Sequence, residues 1–194
     1  KRHPVSTSMS VLPWVVGLTY VIAAPAFHAW GLAQVLMCAL TGGVAVLRRR
    51  FDPEATLAAV AEHHADALAV VPVMLQRILA LPPEVRERHD CSSLTMVVSS
   101  GSALPGTLAT AWMDAFGDNL YNFYGSTEVA AATVADPTDM RAAPGTAGRP
   151  PDLLNGRDAV HDRHLDVHQD QVEAGFRRPG DCRVAIISFA HLRT

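Results

Sequence analysis

The pattern of apolar and polar residues divides the chain into a long uncharged stretch, an alternation of short apolar runs with amphipathic segments, and a polar end. From His3 to Leu47 there is no Asp, Glu, Lys or Arg. Pro13, Gly17, Pro25, His28, Gln34 and the pair Gly42-Gly43 cut this stretch into pieces of strand and helix length. The pattern predicts a strand over Tyr20 to Ala24, a largely buried helix over Trp30 to Leu40 and a strand over Val44 to Leu47. Asp52 suits an N-cap and Pro53 a first helical position, so a helix follows to about His64. His63-His64 at its end suits the negative pole of the helix dipole. Ala67 to Val71 is a continuous apolar strand. Pro72 opens a helix with Leu75, Ile78 and Leu79 on one face, closed by Pro82-Pro83. A strand over Thr95 to Ser99, a helix over Pro105 to Phe116 and a strand over Leu120 to Tyr124 complete the alternation. Such an order implies right-handed crossovers and a three-layer α/β fold, a mostly parallel sheet flanked by helices.

The chemistry concentrates where the last of these strands ends, in Tyr121-Asn122-Phe123-Tyr124-Gly125-Ser126-Thr127-Glu128. Gly125 permits a sharp backbone turn, and the carboxyl end of a strand is where a parallel sheet presents groups to a ligand. Tyr124 can stack on a planar base, Thr127 can donate to a phosphate oxygen, and Glu128 is a hard oxygen ligand suited to Mg²⁺. The same residues also fit a strand end with a turn and a solvated carboxylate.

Composition changes this picture at three points. A formal net charge of −3 over 194 residues leaves no basic footprint, so no nucleic-acid partner is expected. Cys38, Cys91 and Cys182 lack metal or redox spacing, and their odd number suits free thiols in a reducing, cytoplasmic setting. Lys1-Arg2 ahead of the apolar stretch, with Ala24-Pro25-Ala26 inside it, imitates a signal peptide, and residues 3–47 are long enough to span a bilayer with Arg48-Arg49-Arg50 as a positive flank. Membrane association through that stretch is therefore an alternative. The interruptions favour a buried strand, a loop and a core helix instead.

Three further segments flank the octet. They are Pro25-Ala26-Phe27-His28-Ala29-Trp30-Gly31-Leu32, Ser99-Ser100-Gly101-Ser102-Ala103-Leu104-Pro105 and Gly145-Thr146-Ala147-Gly148-Arg149-Pro150. In this order and at these separations, the four segments resemble the adenylate-forming enzymes: acyl-CoA synthetases, luciferases and peptide-synthetase adenylation domains, with bacterial fatty-acyl-CoA synthetases the nearest in appearance. The resemblance runs from about Leu18 to Pro151, and implies that residues 1–151 form a partial AMP-binding domain, incomplete relative to the family's. It implies that Tyr124 stacks on adenine, Asn122 bonds the adenine amino group, and Thr127 touches the α-phosphate. Glu128 would hold Mg²⁺, while Gly101, Ser102, Ala103 and Gly125 line the nucleotide and acyl pocket. His28 would stand near the carboxylate being activated. The reaction implied joins a carboxylic acid to ATP as acyl-AMP and passes the acyl group to coenzyme A. The apolar first third suggests a fatty or aromatic acid.

The sequence also departs from the family. Lys1 is its single lysine, whereas the family uses lysine in a phosphate loop and in a C-terminal domain, where an ammonium neutralises phosphate charge. No segment matches that loop. Residues 152–194 read as a divergent polar tail, in which Pro179-Gly180-Asp181 comes too early and lacks the threonine of the family's ribose-binding motif. His161, His164 and His168 recur there at helical spacing, fitting either a metal site or a solvated face. A catalytically inactive remnant, or a weak nucleotide- or acyl-binding module, is the alternative to an enzyme fragment.

Overall fold

The computed structural model describes residues 16–126, 130–150 and 184–188. Strands β1 (Thr19–Ile22), β2 (Val44–Arg48), β3 (Ala67–Val70), β4 (Met96–Ser99), β5 (Leu120–Ser126), β6 (Ala130–Ala135) and β7 (Val184–Ser188) form one seven-stranded sheet in the order β6-β5-β4-β3-β1-β2-β7. Strands β1 to β5 pair in parallel, and β6 and β7 close the two sides antiparallel to β5 and β2. The helices are α1 (Ala29–Leu40), α2 (Pro53–His63), α3 (Pro72–Leu79), the short α4 (Pro83–Arg86), α5 (Gly106–Phe116) and α6 (Pro137–Ala142). The three-layer α/β arrangement expected from the alternation is the fold observed.

Local chemistry explains most boundaries. The Asp52 side chain accepts from the Ala55 amide at 2.7 Å with Pro53 behind it, so α2 starts where a first-turn amide gains a partner. It stops at His64, whose left-handed backbone (φ 46°, ψ 49°) ends the helix. β1 ends at Ile22 rather than Ala24, because the amides of Ala23 and Ala24 both turn to the Ala69 carbonyl, at 3.0 and 3.1 Å. Helix α1 can then approach closely only because residue 31 is glycine: a Cβ there would lie 2.2 Å from the Pro25 carbonyl oxygen. The uncharged stretch, over its described part, is thus strand, helix and strand. Among the described residues no helix is long and apolar enough to cross a membrane.

Two cores form, one on each side of the sheet. On one side Val21, Leu68, Val70, Val97 and Leu120 pack against residues of α2, α3 and α5, with Trp112 and Met140 buried among them. On the other Tyr20, Ile22, Ala67, Ala69, Met96 and Val98 lie with Cys38 of α1, and Trp30, Tyr121 and Phe123 pack at the rim. Asn119 ties the first core together: its side chain accepts from the Trp112 indole at 3.2 Å and donates to the carbonyls of Leu94 and Phe116.

Candidate active site

The strand order places the site. From β1 the chain moves outward to β2, then returns across β1 to β3 and proceeds the other way to β4 and β5. The reversal lies between β1 and β3, and a crevice opens outside the carboxyl ends of the strands at such a point. Trp30 marks it: the first turn of α1 carries its indole across to the end of β3, where Nε1 donates to the Val70 carbonyl at 2.9 Å. Its ring meets Phe123 of β5 at 5.2 Å between centroids. Carboxyl ends of β1, β3 and β5 are therefore joined by one aromatic pair. The sequence gives no sign of this pairing, although Trp30 lies inside a motif segment and Phe123 inside the octet.

His28 stands at this edge as the N-cap of α1, extended and without a side-chain cap bond, its exposed ring against Phe27 at 4.5 Å. On β4 and β5 the register sets Ser99 beside Asn122. The segment Gly101-Ser102-Ala103 comes directly after β4 and is exposed. Gly101 has φ +93°, a conformation that favours glycine, and a Cβ there would also reach Val71 at 3.4 Å. Along β5, Asn122 and Tyr124 point to the side opposite Tyr121 and Phe123. Asn122 is nearly buried and Tyr124 is 43% exposed, so one strand face carries an anchored amide followed by an open phenol ring. The loop after β4 thus follows the strand that pairs in parallel with β5.

The Gly145 to Pro150 segment folds against the same strands. Asn122 Nδ2 donates to the Thr146 carbonyl at 3.4 Å, Thr133 Oγ1 donates to the Ala147 carbonyl at 2.6 Å, and Val134 and Arg149 exchange backbone bonds at 2.9 and 3.0 Å. Gly148 is required there, since a Cβ would fall 2.0 Å from the Val134 carbonyl oxygen. One amide hydrogen of Asn122 is thereby engaged, which orients the side chain. Gly125 departs from expectation: β5 continues through it to Ser126, and its pairing with β6 slips between Tyr124 and Gly125. The residue skipped in the pairing is Ala132, so the irregularity lies in β6, opposite Tyr124 and Gly125, and Gly125 stays within the strand rather than making a turn. Thr127 and Glu128 lie outside the described residues, as do Cys182 and the histidines of the tail.

The Tyr121 hydroxyl has its pKa raised, by burial first and then by the Asp136 carboxylate. It belongs to a separate surface cavity of about 500 Å³, lined also by Asp118, Pro137, Thr138 and Arg141, at the amino end of β5. Arg141 is already matched there, bonding Asp114 at 2.6 Å and Asp118 at 2.8 Å. Among the described residues no group of three or more His, Cys, Asp or Glu could hold a metal ion.

Residues 4–171 match the sequence profile of the AMP-binding enzymes. The chain belongs to that family. A feruloyl-CoA synthase from Amycolatopsis sp is 38% identical over 132 residues, which are 66% of this chain and 26% of that protein. An indoleacetate–CoA ligase from Aromatoleum aromaticum is 32% identical over 127 residues, 64% of this chain and 24% of that protein. The chain thus spans about a quarter of the length of these curated relatives. Among solved structures, an amide bond synthetase from Marinactinospora thermotolerans superposes with a TM-score of 0.63 at 29% identity, over 69% of this chain and 27% of that one. The N-terminal domain of FACL13 from Mycobacterium tuberculosis shares the fold, with a TM-score of 0.65 at 19% identity over 74% of this chain and 37% of that domain.

Proposed function

We propose that this chain supplies the adenine- and acyl-binding part of an AMP-forming carboxylate–CoA ligase acting on an aromatic acid. The observation that supports the reading is the parallel pairing of β4 and β5, which sets Ser99, shortly before Gly101-Ser102-Ala103, beside Asn122, with His28 and the Trp30–Phe123 pair at the same carboxyl edge. Adenine stacks on the exposed Tyr124 ring, and its amino group donates to the Asn122 side-chain oxygen. The acid lies on the α1 side, its ring against Trp30 and Phe123 and its carboxylate toward His28. A carboxylate oxygen attacks the α-phosphorus of ATP as the bond to the β-phosphate breaks, releasing pyrophosphate. The thiol of coenzyme A, losing its proton, then attacks the acyl carbon and AMP departs. Thr127 is proposed to contact the α-phosphate, and Glu128, a hard oxygen donor, to hold the Mg²⁺ that offsets phosphate charge. The names of the relatives, for ferulic and indoleacetic acids, favour an aromatic over a fatty acid. Residues 1–151 are read as the nucleotide-binding portion and 152–194 as a segment of different character.

Magnitudes set what this chain does alone. Stacking on one aromatic ring contributes about 1–3 kcal/mol and a neutral hydrogen bond about 1 kcal/mol. A millimolar dissociation constant already requires about 4 kcal/mol. AMP binding by the isolated chain is therefore expected near the millimolar range, with acyl-CoA formation negligible. A ligand-observed NMR titration with AMP tests this: Tyr124→Ala should weaken binding by about tenfold or more. Equal binding by the variant would remove Tyr124 from the site. Pyrophosphate release clearly above a Glu128→Ala control would show that the chain catalyses adenylation unaided.

A further inference from the structure

We propose that the cavity between α4 and the end of α5 is a second binding site, taking a small organic carboxylate whose oxygens pair with the Arg86 guanidinium. It is separate from the candidate active site and does not depend on the function proposed above.

The cavity has a volume of about 400 Å³ and lies where the segment after α4 meets the last residues of α5. That segment leads into β4, and α5 is followed by β5, so the cavity belongs to the amino edge of the sheet, the end away from Gly101 and Tyr124. Its polar lining comes from Arg86, Glu87, His89 and Ser92, and its apolar lining includes Phe116, with the Cys91 thiol beside them. Two of these side chains carry buried nitrogens with no hydrogen-bond partner among the described residues, Arg86 Nε and His89 Nε2. A buried donor left unpaired is costly, and such atoms are rare in a native fold.

The neighbouring carboxylates do not meet this need. Glu54 of α2 stands 3.7 Å from Arg88 Nη1 and 3.8 Å from His89 Nε2, too far for a hydrogen bond to either. Asp90 accepts from the Ser92 amide at 3.0 Å. Arg141 and Arg149 reach aspartates at 2.6, 2.8 and 2.9 Å, whereas Arg86 forms no ion pair among the described residues. Its Nε and one terminal nitrogen make up one side of the guanidinium fork, which matches the two oxygens of a carboxylate. The rest of the lining selects among anions. The exposed Glu87 adds negative charge, which disfavours a phosphate that is largely dianionic at neutral pH. Phe116 offers apolar surface to an organic body. A singly charged acid with a short aliphatic body satisfies both.

The test uses the whole chain with isobutyrate, its neutral counterpart isobutyramide, and inorganic phosphate. It reads the Arg86 Nε–Hε NMR signal and the rate at which iodoacetamide alkylates Cys91, followed by peptide mass mapping. Isobutyrate should shift the Arg86 signal saturably and slow the alkylation of Cys91 over the same concentration range; an acid held at the other end of the sheet would not shield that thiol. Isobutyramide should do neither, and phosphate should need about tenfold more for the same effect. Arg86→Gln should weaken the isobutyrate protection of Cys91 by about tenfold or more, because it removes a charge-assisted pair. It should melt no lower than the wild type, since no internal partner of Arg86 is lost. Arg86→Lys keeps the charge without the fork, and should show the same loss of protection if glutamine disturbs α4. Protection that survives in both variants, or that isobutyramide gives equally, overturns the site. So does the absence of both shift and protection with isobutyrate. Phosphate acting at the same concentration as isobutyrate overturns the carboxylate assignment.

Discussion

The two sides of the sheet are built from helices of different character. On the side of α2, α3 and α5, the buried positions are apolar apart from Thr56, and the outward ones include Glu54, Glu62, Gln76, Arg77 and Asp114. On the other side, among the described residues, α1 stands alone, and its outward positions carry Leu32, Leu36 and Leu40 at four-residue spacing, with Phe27 just before it, all exposed. Helix α1 has no charged residue at all. The first side is finished as a water-facing surface; the second has apolar outward positions and, Gln34 apart, an apolar inward face. A helix apolar on both faces suits the interior of a larger assembly of layers.

The largest expected effect lies on the finished side. Trp112 is fully buried, stacks on Phe116 at 4.3 Å and bonds Asn119. Trp112→Ala should lower stability by about 3–5 kcal/mol, from lost contacts and the cavity left behind, measurable by urea denaturation. A change below about 1 kcal/mol would mean that the two sides do not differ as described.

The thiols sharpen the comparison, since Cys38 lies under α1 and Cys91 beside the other core. Burial pushes both up to about 11, with Asp90 adding to the effect at Cys91. Because the folded chain keeps these protons longer than the unfolded one, their contribution to stability is full below about pH 9 and is lost as pH rises toward 11. Denaturation midpoints should fall across that window. In a Cys182→Ser background, thiol labelling at neutral pH should be slow at both sites and faster at the half-exposed Cys91. Sub-denaturing urea should then accelerate Cys38 first, as α1 lifts from the sheet. If both thiols become reactive at one urea concentration, α1 is as firmly held as the rest.

The smallest effect on stability, though a visible one on behaviour, is expected from Leu32→Gln, Leu36→Gln and Leu40→Gln combined. Exposed positions of this kind change stability by no more than about 0.5 kcal/mol each. They should nevertheless raise solubility and reduce self-association in sedimentation runs, because the exposed apolar stripe is removed. An already monodisperse wild type at high concentration, unchanged by the substitutions, would show that the stripe does not promote association.

Much of the sheet is legible in the sequence because its signals are local. Asp52-Pro53 marks the start of α2, and the apolar runs from Ala67, Thr95 and Leu120 locate β3, β4 and β5 to within a residue or two. The elements that escape depend on partners far along the chain. Ala130 to Ala135 is weakly patterned, and is a strand because β5 and the Arg149 backbone pair with it. β7 exists as an edge on β2, and nothing in the polar sequence before it announces that role. Gly125 suggests a turn by its identity, whereas the pairing with β6 keeps it in a strand, with the irregularity across from it in β6. At the site, the motif leads to Tyr124, Asn122 and the Gly101 segment. The Trp30–Phe123 pair emerges only from the packing of α1 on β3 and β5.

The position of β1 bears on how the chain is made. Its two neighbours are β2 and β3, with Tyr20 set beside Ala45 on one side and Ala67 on the other. During synthesis at roughly 5–20 residues per second, β1 and the uncharged helix after it leave the ribosome several seconds before β3 exists to cover the open flank. For that interval an apolar strand with a free hydrogen-bonding edge faces solvent or a chaperone. Slowing translation before Ala67 should therefore lower the soluble yield, whereas slowing it after Ser99, when four strands are already joined, should cost much less.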